Sequence, residues 1–232
     1  MITTRPASER GKTDIGWLES YHSFSFGDYH DPDNREFSVL RVINDDIIGA
    51  GGGFPTHPHR DMEIITVPLE GSIAHRDSMG NGSVIGPGDV QKMTAGSGIT
   101  HSEFNPSQTE STHLLQIWIR PESKGLDPSY EERSFDIPGT AGTPVLLVSP
   151  DGADGSITIQ QDARLYGLAL ENEQTSKLEL EPGRRGWIQV TRGHGKVGDH
   201  NVAPGDAVTL EGESGVEFSA AASLELLFFD LP

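Results

Sequence analysis

Cysteine is absent from the 232 residues, and that absence removes disulfides, thiolate nucleophiles, iron–sulfur clusters and cysteine-type zinc sites at once. Any metal held by this chain must rest on histidine, carboxylate or water, and the lack of thiols agrees with the expected location, a reducing cytoplasm. Long apolar runs are missing too. No stretch approaches the roughly 18 residues that span a bilayer, and the opening MITTRPASERGKTD mixes charges of both signs where an export signal would be apolar. No membrane partner is expected. Positive charge is scarce: 17 Lys and Arg against 35 Asp and Glu leave a net charge of −18. A field of that sign repels phosphates, so no direct nucleic-acid partner is expected either. Helical periodicity is nearly absent, with Pro128–Glu132 among the few short candidates.

What the chain has in quantity is punctuation. Its 28 glycines and 15 prolines separate brief runs rich in Val, Ile, Leu and Phe, such as Phe37–Ile43, Glu63–Leu69, His113–Ile119, Trp187–Thr191 and Leu224–Phe229. That is the pattern of an all-β sandwich or barrel. The chain is long enough for one large domain or two of about a hundred residues. An internal echo favours two. EIITVPLEG, VIGPGD, SGITHSEF and HLLQIWIRP in the first half return in the same order as WIQVTRG, VAPGD, SGVEFSA and LELLFFDLP in the second. Each match is ordinary turn chemistry on its own; four in register imply a duplicated barrel. The boundary is expected in the loop-rich stretch from Pro121 to Thr143, dividing the chain into 1–130 and 131–232.

Two short segments carry the chemistry. In GGGFPTHPHRDME, His57 and His59 are two apart, and in AGSGITHSEFN so are His101 and Glu103. On a strand, residues at i and i+2 leave from one face. Two neighbouring strands with such pairs bring three imidazoles and a carboxylate to one point. Glu63 also lies an even number of residues from His59, and spacing alone does not separate it from Glu103 as the fourth ligand. Three neutral imidazoles and a carboxylate accommodate Fe(II), Mn, Ni, Zn, Co or Cu. An ion preferring six ligands keeps positions open for a guest, as a catalytic metal does. The remaining histidines are assigned lesser parts. His22, beside aromatic residues, is read as a packed or surface residue with lining a barrel edge as the alternative, and His30 sits in a loop. His75 and His113 occupy strands without a same-face partner, and His194 and His200 lie in a polar glycine-rich turn. The glycines at 51–53 make a tight start to a strand, since no helix or P-loop lysine follows.

The two segments resemble the paired motifs of the cupin superfamily: Gly51, His57-Pro58-His59 and Glu63, then Gly98, His101 and Asn105. FPTHPHRDMEI and QKMTAGSGITHSE resemble the pirin family. The continuation LLQIWIRPESKGLDPSYEE is similar to its bacterial quercetin 2,3-dioxygenase-like branch, and the similarity runs from RGKTDIGWLESYHSFSFGDY to LLFFDLP. The resemblance implies a bicupin, two tandem jelly-roll-like barrels in one chain. It places one divalent metal, Fe(II) for preference, on His57, His59, His101 and Glu103, and leaves Glu63 outside the ligand set. Lys92 departs from the motif, which often has an aromatic residue before Met93, and substrate preference is the property expected to shift with it. In the second repeat Phe218 and Ala220 stand where His101 and Glu103 stand in the first, so one metal per chain is expected.

The activity implied is a dioxygenase cleaving flavonol-like aromatic substrates with O2. Glu103 would serve as metal ligand and proton acceptor, and Phe54, Met62 and Met93 would supply an apolar wall. The alternative is a non-enzymatic, metal- or redox-responsive regulator with a protein partner, as eukaryotic pirins are thought to be. A monomer is expected. A sugar-binding or isomerase-type cupin ranks lower, because no basic cluster accompanies the metal motif.

Overall fold

A computed structural model describes all 232 residues of the chain. They divide into two compact β units, one formed by 10–134 with 159–161 and the other by 1–9, 135–158 and 162–232. No helix is long and apolar enough to cross a membrane.

The first strand of the chain, β1 (Ile2–Arg5), belongs to the second unit. The first unit contains β2 (Gly11–Asp14), β3 (Leu18–His22), β4 (Leu40–Ile48), β5 (Gly53–His59), β6 (Glu63–Glu70) and β7 (Ile73–Asp77). It continues with β8 (Gly82–Ile85), β9 (Asp89–Thr94), β10 (Ile99–Phe104), β11 (Thr112–Ile119) and β12 (Ser129–Ser134). They form a seven-stranded sheet in the order β12-β9-β6-β11-β4-β3-β2 and a four-stranded sheet in the order β5-β10-β7-β8. Strand pairing in both is antiparallel. Period-two alternation decides which side chains enter the interior. Along β6, Ile64 joins the core with Met93, Ala95 and Ile99, while Glu63 lies on the other face with Lys92 and Thr94. A second small core gathers Leu18, Ile48, Ile73, Ile85 and Leu114.

The second unit adds β13 (Val145–Ser149), β14 (Ile157–Thr158), β15 (Arg164–Glu171), β16 (Thr175–Glu179), β17 (Arg185–Val197), β18 (His200–Val202), β19 (Ala207–Glu211) and β20 (Gly215–Leu231). Its nine strands make one sheet, β1-β19-β17-β20-β15-β13-β14, with β16 on β20 and β18 on β17. The 17-residue β20 pairs with β16 through its first half and with β15 through its second, so one strand serves two walls. Its partner β17 bends through register shifts at Val190/Arg192 and Gly193/Gly195. Gly193 has φ +72, and a Cβ there would stand 2.2 Å from the Ser223 carbonyl oxygen, so only glycine fits this bulge. The main core cluster of the unit is apolar. Phe218 and Ala220 are buried in it with Leu168, Ile188, Leu226 and Phe228, and the Phe218 and Phe228 rings meet edge to face at 6.4 Å. Truncating a phenylalanine so placed costs about 3–5 kcal/mol. The positions equivalent to His101 and Glu103 therefore hold packing.

Three local expectations are corrected. Pro128–Glu132 is no helix: Ser129–Ser134 pairs with β9 along its length. The run read as Phe37–Ile43 begins as a strand only at Leu40, after a turn with Ser38 at φ +53, and continues through Asn44-Asp45-Asp46 to Ile48. His194 and His200 lie on β17 and β18, flanking a turn at Gly198-Asp199.

Candidate metal centre

Strands β5 and β10 run antiparallel with His101 directly opposite His57. Such opposed residues share a face, and the i, i+2 rule adds His59 and Glu103 to it. Between His101 and Glu103 the register shifts, so that Glu103 meets Phe54. Gly53 makes this approach feasible, since a Cβ there would fall 2.3 Å from the Glu103 carbonyl oxygen. The three histidine rings gather with centroids 4.5 Å (His57 and His101), 4.8 Å (His57 and His59) and 4.9 Å (His59 and His101) apart. The Nε2 atoms of His57 and His101 are 3.1 Å apart. Two nitrogens at about 2.1 Å from one ion and at right angles across it would be separated by roughly 3 Å, so the pair has the spacing of co-ligands.

Burial keeps the His59 and His101 rings neutral. It pushes His59 down to about 4, aided by the neighbouring His57, and His101 down to about 2, aided by His57, His59 and His75. Neutral imidazoles offer the lone pairs a metal needs. His57 is fixed further: its Nδ1–H donates to the Pro55 carbonyl at 2.8 Å, leaving Nε2 as the free lone pair. The edge-on indole of Trp118, at 4.9 Å, braces His59.

Glu103 adjoins through His101, with its Oε2 at 3.9 Å from Nε2. Burial raises its carboxyl above the usual carboxylate range, and the Gln116 amide opposes that shift. Gln116 Nε2 donates to both carboxylate oxygens, at 3.1 and 3.0 Å. The Thr66 hydroxyl, 3.0 Å from Gln116 Oε1, holds the amide the right way round for it. These bonds join the two sheets across the interior. Glu63 stands elsewhere. Asp61, at φ +51, turns the chain between β5 and β6 and breaks the alternation that would have aligned Glu63 with His59. Glu63 accepts from Thr94 at 3.0 Å and lies 4.0 Å from Lys92 Nζ. Lys92, buried and bonded to Thr94 and Ser129, belongs to that cluster and does not line the cavity described below.

His75 was read as lacking a same-face partner, and the structure corrects this. It opposes Glu103 across β7 and β10, and its Nδ1 lies 3.5 Å from His101 Nδ1. Its Nε2 is 3.4 Å from Asp77, and Tyr130 stacks on it at 5.0 Å. Asp77 orders His75 Nε2–H, and His75 Nδ1 then accepts from His101 Nδ1–H, turning the His101 Nε2 lone pair toward His57. His75→Phe keeps the stack and removes the acceptor. Metal affinity is expected to fall by the roughly 10- to 100-fold typical of lost outer partners, measured by competitive chelator titration. His113 pairs with Asp45, and His30 is exposed.

A cavity of about 460 Å³ opens beside the histidines, within the size range of small-molecule sites. Leu18, Phe26, Phe54 and Trp118 give it apolar walls; His22, Asn44, Asp46, Glu103 and Gln116 give it polar ones. Phe54 lines it as expected, but Met62 and Met93 do not, because they pack in the neighbouring core with Ile64 and Ile99. Asn44, Asp46, Gln116 and Trp118 went unnoticed in the sequence. Their only signal was polar residues at alternate places in β4 and a glutamine inside an apolar strand.

Family models match most of the chain: Pirin over residues 3–119 and the quercetinase C-terminal cupin domain over 146–231. The chain is 48% identical to the quercetin 2,3-dioxygenase of Escherichia coli (strain K12), covering 100% of this chain and 99% of that one. It is 39% identical to a pirin-like protein of Caulobacter vibrioides, with 99% of each covered. Among solved structures, the bacterial pirin YhhW of Escherichia coli in complex with nickel(II) superposes with a TM-score of 0.95 at 46% identity, covering 100% and 99% of the two chains. With both halves matched, the chain is a bicupin, and it belongs to the pirin family.

Proposed function

We propose that the chain is a metal-dependent dioxygenase of the quercetin 2,3-dioxygenase type, holding one divalent transition metal on His57, His59, His101 and Glu103. The observation that carries this reading is the meeting of three imidazoles beside a braced carboxylate at the edge of an apolar-walled cavity. The donor set fits such an ion, since nitrogen and oxygen donors without thiolate suit Fe(II), which we favour, as well as Ni(II), Mn, Co, Cu or Zn. The names of the relatives support it, one being a quercetin 2,3-dioxygenase and another a pirin holding nickel(II).

A metal bound there supplies Lewis acidity toward a substrate oxygen. The residues supply the rest. Phe54 and Trp118 meet a flat ring and keep water from it. Glu103, its carboxylate held by Gln116, accepts the proton of the reacting hydroxyl. His57 and His101 keep fixed tautomers through Pro55 and His75. The substrate is a flavonol-like aromatic compound, the co-substrate O2, and the setting the cytoplasm.

The test is to load the purified chain with Fe(II) or Ni(II) without air, add quercetin, admit oxygen and follow flavonol absorbance together with carbon monoxide. Loss of absorbance with matching carbon monoxide supports the reading. No turnover with any first-row metal overturns it.

A further inference from the structure

The cavity wall on β3 and β4 is unusually polar for a barrel interior. Ser20, His22, Asn44 and Asp46 all face inward and are each less than 5% exposed. The register sets Ser20 opposite Asp46 and His22 opposite Asn44. Most of this strip is satisfied within the chain. His22 Nδ1–H donates to Asn44 Oδ1 at 2.7 Å, and its Nε2 takes the Thr13 hydroxyl at 2.9 Å. Burial lowers the His22 imidazole, in keeping with that neutral tautomer.

Asp46 is different. It is 3% exposed, lines the cavity, and its Oδ1 has no hydrogen-bond partner. A buried carboxyl oxygen without a donor is among the more unfavourable arrangements a protein holds, and each instance asks for a reason. Burial above all pushes the carboxyl up to about 7; the Ser20 hydroxyl bonds it and opposes that shift, as His113 does, while the neighbouring Asp45 and Glu103 add to it. Trp118 on the same cavity leaves its Nε1–H equally unpartnered. Two residues of the cavity lining thus each carry an unpartnered polar atom, an acceptor on Asp46 and a donor on Trp118, and a small turn of the side chain brings the Asp46 carboxyl to a guest.

We propose that Asp46 is a second polar anchor of the cavity, accepting the hydrogen of a ring hydroxyl on a flat aromatic guest. The inference rests on the reading of the cavity as an aromatic substrate site, and adds that specificity for hydroxylated rings is set on β4, away from the histidines. The torsion about the carboxyl carbon of an aspartate is broad, so either oxygen serves. A guest methylated at that hydroxyl would leave the carboxyl unpaired and would have to seat a methyl group against it.

The test measures binding apart from turnover. Metal-loaded chain, kept without air, is titrated with quercetin and with each of its mono-O-methyl ethers, following Trp fluorescence and flavonol absorbance. In the parent chain, methylation at one hydroxyl is expected to weaken binding by on the order of 10- to 100-fold, the range for a hydrogen bond to a charged group. In Asp46→Ala that penalty should fall below about threefold, and in Asp46→Asn, which keeps the shape and a weaker acceptor, to an intermediate value. Metal content should be the same in all three. Equal penalties in the parent and both variants overturn the proposal. The two readings fail separately. If the Asp46-dependent contrast is present but quercetin survives admission of oxygen, the anchor stands and the dioxygenase falls; turnover without the contrast gives the reverse.

Discussion

A His101→Ala chain is expected to fold and to carry almost no metal. His101 is the side chain shared by both groups of donors, His57 with His59 on one side and His75 with Glu103 on the other. Removing it leaves His57 and His59 on one strand and Glu103 on the other without the imidazole that links the two groups. The loss should exceed the roughly 10- to 100-fold that follows removal of an outer partner, and elemental analysis of the purified variant reads it directly. The fold should survive because the apolar clusters of this unit are built from other residues, Ile64 with Met93 and Leu18 with Ile48 among them. A thermal shift gives the second readout. Metal that binds the folded chain alone raises the melting temperature of the parent, and it should leave that of His101→Ala where it was. A variant that retains full metal occupancy would remove His101 from the ligand set.

The second large effect concerns Glu103. In Glu103→Gln the shape is kept, but Gln116 Nε2 donates to both Glu103 oxygens. The new amide must turn its own oxygen toward that donor and its NH2 toward the guest, and an NH2 accepts no proton. Turnover of quercetin per bound metal is expected to fall by about 10²- to 10⁴-fold, the range for a general base, while anaerobic binding of the flavonol changes far less. Normalising to measured metal separates a lost base from a lost ligand. Activity within about threefold of the parent would show that the proton goes elsewhere.

The parts of this molecule legible in the sequence are those that depend on one strand at a time. His57 with His59 and His101 with Glu103 share faces because alternation is a local rule, and Glu63–Leu69 reads as a strand because it is a brief run rich in Ile, Val and Leu. What was missed depends on neighbours distant in sequence. His75 looked solitary although Asp77 stands two places on in the same strand; its other partners, His101 and Tyr130, arrive through pairing registers that no spacing encodes. Asn44-Asp45-Asp46 looked like the end of a strand because polar residues usually end one; here β4 continues, since its inner face borders a cavity and Asp45 pairs with Arg10 and His113 outside it. Glu63 was held in step with His59 by counting, and a single left-handed residue, Asp61, undid the count. Pro128–Glu132 became a strand because the edge of β9 was open to it.

The pairing of β1 with β19 sets an order of assembly. Ile2 lies opposite Leu210 and Arg5 opposite Ala207, so residues near the start of the chain cannot take their places until more than two hundred others have been synthesised. The unit spanning 10–134 needs only three residues from beyond that range, 159–161. During translation it can therefore gather its histidines while the other unit still waits for its last strands, and the early segment hangs free for the whole interval. Shortening the chain by its first five residues would then open an edge on the barrel made last and spare the one made first.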